Sequence, residues 1–179
     1  MKKDMEKIIE IPEGVSVKVE GTEVTVKHGS NEIKRKFNLR GVEISVGKDV
    51  RVFAKKATKR EFKLIGTAAA HIKNMVNGVK NDFVYTLEIC NVHFPMNVKV
   101  DGKTVVIKTF LGEVNDRIAA ILPNVEVEVK GKDIIVSSFD KDAAGQTAAN
   151  IEKATKITGR DRRVFQDGIF ITEKCGKAI

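Results

Sequence analysis

The chain has 179 residues, 42% of them hydrophobic and 31% charged. That is apolar material for one good core or two small ones, which excludes intrinsic disorder and a large multidomain enzyme. Lys and Arg outnumber Asp and Glu by 32 to 24, a formal net charge of +8, which favours a polyanionic partner, nucleic acid before anionic membrane.

The first 14 residues, MKKDMEKIIEIPEG, are basic at first but hold no long apolar run, so no secretory leader is expected there. No segment approaches the roughly 20 apolar residues of a bilayer span. Val15, Val17 and Val19 alternate, then Val24 and Val26 follow the turn residues Glu20-Gly21, which predicts a β-hairpin. From His28 to Arg40 the chain reads as a long basic connection anchored by Phe37 and Leu39. A second hairpin is expected from Val42, Ile44 and Val46 through Gly47-Lys48-Asp49 to Val50 and Val52. A helix then begins at the capping box Thr58-Lys59-Arg60-Glu61. Its inward stripe is Phe62, Ile65, Ala69, Ile72, Val76 and Val79, with Gly78 near the end. Phe83, Tyr85, Leu87 and Ile89 alternate as a strand leading into the remainder.

That remainder repeats the same grammar. Phe94-Pro95-Met96-Asn97 then Val98-Lys99-Val100-Asp101-Gly102 echoes Ile11-Pro12-Glu13-Gly14 then Val17-Lys18-Val19-Glu20-Gly21, and Val105 and Ile107 complete the hairpin. Val125-Glu126-Val127-Glu128-Val129, Gly131-Lys132-Asp133 and Ile134 echo the second hairpin, with Val136 as its last inward residue. Gly145-Gln146-Thr147-Ala148-Ala149-Asn150-Ile151 echoes Gly66-Thr67-Ala68-Ala69-Ala70-His71-Ile72. The second helix is expected to start near Asp140 or Asp142, to turn Ala144, Ala148, Ile151 and Thr155 inward, and to stop at Gly159. The chain therefore reads as a tandem duplication of class α+β, residues 1–82 and 83–179, each copy antiparallel strands packed with one long helix.

Chemistry is sparse. His28, His71 and His93 have no second ligand at i+3 or i+4, so no metal site is expected. Asp140 and Asp142 fit helix capping better than paired catalysis, and Glu126 and Glu128 are the outward positions of a strand. There is no phosphate loop, dinucleotide fingerprint or nucleophile elbow. Cys90 and Cys175 stand far apart and read as reduced, inert thiols of a cytosolic protein. No enzyme and no cofactor are expected.

The positive charge is uneven. Residues 1–92 carry 18 cations against 12 acids, residues 93–150 carry 7 against 8, and residues 151–179 carry 7 against 4. Within the first copy Lys48, Arg51, Lys55, Lys56, Lys59, Arg60 and Lys63 form a basic run that is either a binding face or a solvated one. In the tail, Arg160, Arg162 and Arg163 crowd beside the expected helix end. Arginine's planar fork suits phosphate, and the three outnumber Asp161 and Asp167, with which they could instead pair while capping the helix.

The tail block Ile157-x-x-Arg160-x-x-Arg163-x-Phe165-x-Asp167-Gly168-Ile169, followed by Lys174, resembles the family of the sixth protein of the large ribosomal subunit, in its archaeal and eukaryotic branch. Ile11-Pro12-Glu13-Gly14 and Gly66-Thr67 add to the likeness, which covers nearly the whole chain. Two positions depart from the family: Lys153 where Gln is usual, adding charge, and Phe170 where Tyr is common, losing a hydroxyl. The resemblance implies a cytoplasmic, non-catalytic, ribosomal RNA-binding protein of two similar domains. Its C-terminal copy and tail would dock on large-subunit rRNA near the sarcin-ricin loop, among neighbouring ribosomal proteins and close to bound translational GTPases. The residues expected to meet RNA are Lys153, Lys156, Arg160, Arg162, Arg163, Lys174 and Lys177, with Lys55, Lys56, Lys59 and Arg60 as a weaker set. Binding of this kind rests on phosphate neutralisation and RNA shape. A free-standing nucleic-acid regulator would show a recognition helix or dimer signal, and neither is seen; a protein adaptor would need an exposed apolar patch.

Overall fold

A computed structural model describes residues 3–179, apart from the side chain of Lys3. Met1 and Lys2 of the basic N-terminal stretch lie outside the described residues. The chain divides into two units, one ending at Asn81 and one running from Asp82 to Ile179.

In the first unit, β1 (Lys3–Glu10), β2 (Ser16–Glu20), β3 (Glu23–His28), β4 (Asn31–Lys36), β5 (Glu43–Val46) and β6 (Asp49–Ala57) precede the helix α1 (Lys59–Gly78). They form two antiparallel three-stranded sheets, ordered β1-β6-β5 and β2-β3-β4. Val24, Val26 and Ile33 from one sheet and Val50, Val52 and Ala54 from the other are buried with Ile65, Ala69, Ile72 and Val76 of α1. The helix starts as expected: Thr58 caps it by accepting from the Arg60 N–H, and Glu61 Oε2 accepts from the Thr58 N–H at 2.8 Å.

Three expectations need correction. The basic connection from His28 to Arg40 contains the strand β4, which pairs with β3 so that Ile33 lies opposite Val26. Asn31 and Arg35 share the face of Ile33, so polar residues on the inward side hide the alternation, while Phe37 is indeed buried. The strand β1 gave no sequence signal, because charged residues interrupt Met5, Ile8 and Ile9; pairing with β6, which sets Ile9 opposite Val50, makes it a strand. Phe62 is 49% exposed. It lies in the first turn among the exposed Lys59, Arg60 and Lys63, and Ala68 and Met75 are buried on the helix face in its stead.

The second unit repeats this plan. β7 (Phe83–Cys90), β8 (Asn97–Asp101), β9 (Thr104–Lys108), a short turn at Phe110–Gly112, β10 (Arg117–Ala120), β11 (Glu126–Lys130), β12 (Asp133–Ser138) and α2 (Lys141–Ala154) occur in the same order. The sheet β10-β9-β8 matches β4-β3-β2, and the run β11-β12-β7 matches β5-β6-β1. The tail then adds β13 (Gly168–Lys174) and β14 (Lys177–Ala178) on the outer edge of β7, giving five strands. Ala144, Ala148 and Ile151 of α2 are buried, as expected, over Leu87, Ile134, Val136 and Ile169. The helix sits close to the sheet: a Cβ at Gly145 would lie 3.0 Å from Tyr85 Oη. It ends at Ala154, however, with Thr155 as its cap, rather than continuing to Gly159.

Candidate nucleic-acid interface

The segment between α2 and β13 is held by its own motif residues. Asp167 is 1% exposed. Its Oδ1 accepts from the Val92 N–H at 2.9 Å, both oxygens face the His93 N–H at 3.2 and 3.1 Å, and Oδ2 accepts from the Phe94 N–H at 3.3 Å. His93 Nδ1 stands 3.2 Å from Oδ1. Burial pushes this carboxyl up, but the Val92, His93 and Phe94 N–H groups and the His93 ring outweigh burial and leave it below the usual carboxylate range. Asp167 is thus a clamp on the loop after β7. It is not a partner of the tail arginines, one of the alternatives left open by the sequence.

The neighbours in the motif have equally local tasks. Gly168 is buried opposite Cys90, and a Cβ there would come within 2.9 Å of Phe170 Cζ, so the glycine makes room for that ring. Ile169 is fully buried and its N–H donates to Thr155 Oγ1 at 2.9 Å, tying the tail to the end of α2. The Arg160 guanidinium stands 5.0 Å from the centroid of Phe165, whose ring also meets His93 at 5.2 Å. Arg163 grips Asp161 through Nε and Nη2, the latter at 2.8 Å, while remaining 90% exposed. Arg163 holds Asp161 below the usual carboxylate range, and Asp161 in turn raises Arg163.

The tail arginines do not cap the helix. Arg117, which the sequence reading passed over, does so: its Nη1 donates to the carbonyls of Ala154 at 2.8 Å and Lys156 at 3.3 Å. Its other nitrogens pair with Glu113, and its guanidinium lies 4.2 Å from the centroid of Phe110. The only sequence signal for it was an acid four residues earlier.

All seven cations expected to meet RNA lie in the second unit and are exposed. Among the described residues, none of Lys153, Lys156, Arg162, Lys174 or Lys177 forms an ion pair. This is notable because the charge divides unevenly between the units. The first unit carries 18 cations against 10 acids, and the second 14 against 14. Five of the second unit's fourteen acids are engaged away from these cations: Glu113 by Arg117, Asp116 by Lys108, Glu128 by Lys130, Asp161 by Arg163 and Asp167 by backbone. Lys153, Lys156 and Arg162 also line a cleft of about 810 Å³ walled by Phe165, Phe170, Val92 and Ile157. Cys90 opens onto this cleft too, and burial together with Glu88 raises its thiol despite Lys132, in keeping with an unreactive cysteine.

The weaker set lies in the first unit. Lys55 and Lys56 end β6, and Lys59 and Arg60 open α1, all exposed. At the helix N-terminus beside them the capping box already engages the Thr58 and Arg60 N–H groups. Among the described residues no group of His, Cys, Asp and Glu could hold a metal ion, and no helix is long and apolar enough to cross a membrane.

The arrangement suits multidentate binding of a phosphate-rich surface. The family model for ribosomal protein L6 matches the chain twice, over residues 11–82 and 94–168, one match in each unit. Three curated proteins, each named large ribosomal subunit protein uL6, are similar over nearly their whole length. That of Methanococcus vannielii is 48% identical over 96% of this chain and 94% of its own. That of Methanosarcina mazei is 46% identical over 97% and 99%, and that of Aeropyrum pernix 47% over 93% and 92%.

Proposed function

Because the chain belongs to the ribosomal protein L6 family, and is a non-enzymatic structural constituent of the large ribosomal subunit, we propose that its second unit docks on large-subunit rRNA near the sarcin-ricin loop. There it helps shape the region where translational GTPases bind, on ribosomes in the cytoplasm. The observation that carries this reading is the concentration of seven exposed cations, of which only Arg163 forms an ion pair among the described residues, around the clamped tail of a unit whose net charge is zero. Lys153, Lys156, Arg160, Arg162 and Arg163 surround the end of α2, and Lys174 and Lys177 continue along β13 and β14. These side chains neutralise phosphates and release counterions, while the rigid sheet and helix set their spacing to the RNA's shape. Lys55, Lys56, Lys59 and Arg60 give the first unit a second, subordinate contact with RNA.

The test is binding of the whole chain to an rRNA fragment containing the sarcin-ricin loop. Arg160→Glu with Arg163→Glu is expected to weaken binding at moderate salt by at least tenfold and to flatten the salt dependence by roughly one to two phosphate contacts. Both side chains are on the surface, so the melting temperature should barely move. Unchanged affinity in a folded double variant would overturn the assignment.

A further inference from the structure

The cleft beside α2 combines two features that a flat phosphate-binding face does not need. Its walls are apolar and partly aromatic: Phe165 and Phe170 stand with Val92 and Ile157, and Phe170 remains 36% exposed. Its charged lining sets three cations, Lys153, Lys156 and Arg162, against two acids, Glu152 and Asp167. The cations have no ion pair among the described residues, and the acids face backbone N–H groups rather than the cations. Asp167 is saturated by loop N–H groups, and Glu152 Oε1 faces the Ile171 N–H at 3.5 Å. Thr155 is likewise engaged, donating to Glu152 O and accepting from Ile169 N–H. Both rings are braced from outside the cleft, Phe165 by Arg160 and His93 and Phe170 over Gly168, so the walls are preorganised.

We propose that this cleft seats one unpaired RNA nucleotide, its base between the apolar walls and its flanking phosphates on Lys153, Lys156 and Arg162. The inference rests on the reading that this face meets rRNA, and it adds the element by which the face would recognise more than backbone shape. A volume of about 810 Å³ is within the range that accepts a small planar ligand. A nucleotide brings a planar apolar group and anions together at the spacing of one residue, which matches walls and rim at once. An apolar peptide side chain would leave the three cations unanswered, and a base-paired duplex cannot present a base to the cleft. Unstacked bases held on aromatic side chains are the usual means by which proteins read RNA loops and bulges.

The experiment uses the full chain and the same rRNA fragment, with an abasic site walked through its unpaired positions. In the wild type one position is expected to lose about tenfold to a hundredfold in affinity when its base is removed. Phe170→Ala should lose affinity on the intact RNA by a similar factor and be indifferent to that abasic site, a coupling that a merely structural role for Phe170 would not produce. Ala149→Leu, which narrows the cleft from α2, should behave likewise and serves if Phe170→Ala proves unstable. Abasic costs that are the same in wild type and both variants would overturn the proposal. If the cleft variants bind normally while Arg160→Glu with Arg163→Glu does not, the nucleotide seat falls and the rRNA face stands; if all variants bind normally, both fall.

Discussion

Replacing Asp167 by Ala should loosen the second unit at one identifiable point. The carboxylate accepts from three consecutive backbone N–H groups, those of Val92, His93 and Phe94, at 2.9 to 3.3 Å. A hydrogen bond to an ionised group contributes about 1.5–3 kcal/mol net. The three do not add, because residues 91–95 are exposed and their amides regain water once the carboxylate is gone; the expected loss is about 2–4 kcal/mol. For a unit of this size that corresponds to a drop of roughly 10–25 °C in its melting transition. Asp167→Asn retains one acceptor oxygen and should lose about half as much. The pH dependence supplies a second reading. Asp167 has a folded value below its unfolded one of about 3.9, so its contribution is fully present above that pH and disappears as pH falls through the lower folded value. The gap between wild type and Asp167→Ala should therefore be constant at neutral pH and close in strong acid. Thermal melts across pH, with hydrogen exchange at residues 92–94, test this. A loss under about 1 kcal/mol with unchanged exchange at those amides would refute the clamp.

Two further outcomes follow from the same region. Arg117→Ala frees the carbonyls of Ala154 and Lys156 and unpairs Glu113, and should cost about 1.5–3 kcal/mol in urea unfolding; Arg117→Lys should recover little, since an ammonium cannot reproduce the fork. Gly168→Ala puts a methyl 2.9 Å from Phe170 Cζ and should cost about 1–2 kcal/mol, relieved in the double variant with Phe170→Ala, as a double-mutant cycle would show.

Much of the fold was legible in the chain because its signals are local. Alternating valines specify hairpins whatever surrounds them, and Thr58-x-x-Glu61 and Asp140 cap helices with atoms two or three residues away. The duplication was visible because both copies keep those local patterns in one order. The strands β1, β4 and β10 were missed for the opposite reason: charged residues dilute the alternation in β1 and β4, β10 is four residues long with its Ile118 facing outward, and all three are strands because a neighbour across the sheet completes their hydrogen bonds.

For the site, the sequence by itself determined which cations are available and that a motif surrounds them. Only the tertiary structure decided what each motif residue does. Asp167 lies near three arginines along the chain, yet it binds a loop some 74 residues away, and the helix end is capped by Arg117 from 37 residues before it. Electrostatic pairing depends on distance in space and on burial, neither of which is written in sequence separation. The same partition of partners leaves Lys153, Lys156 and Arg162 without an ion pair among the described residues, beside an apolar cleft on a unit with as many acids as bases.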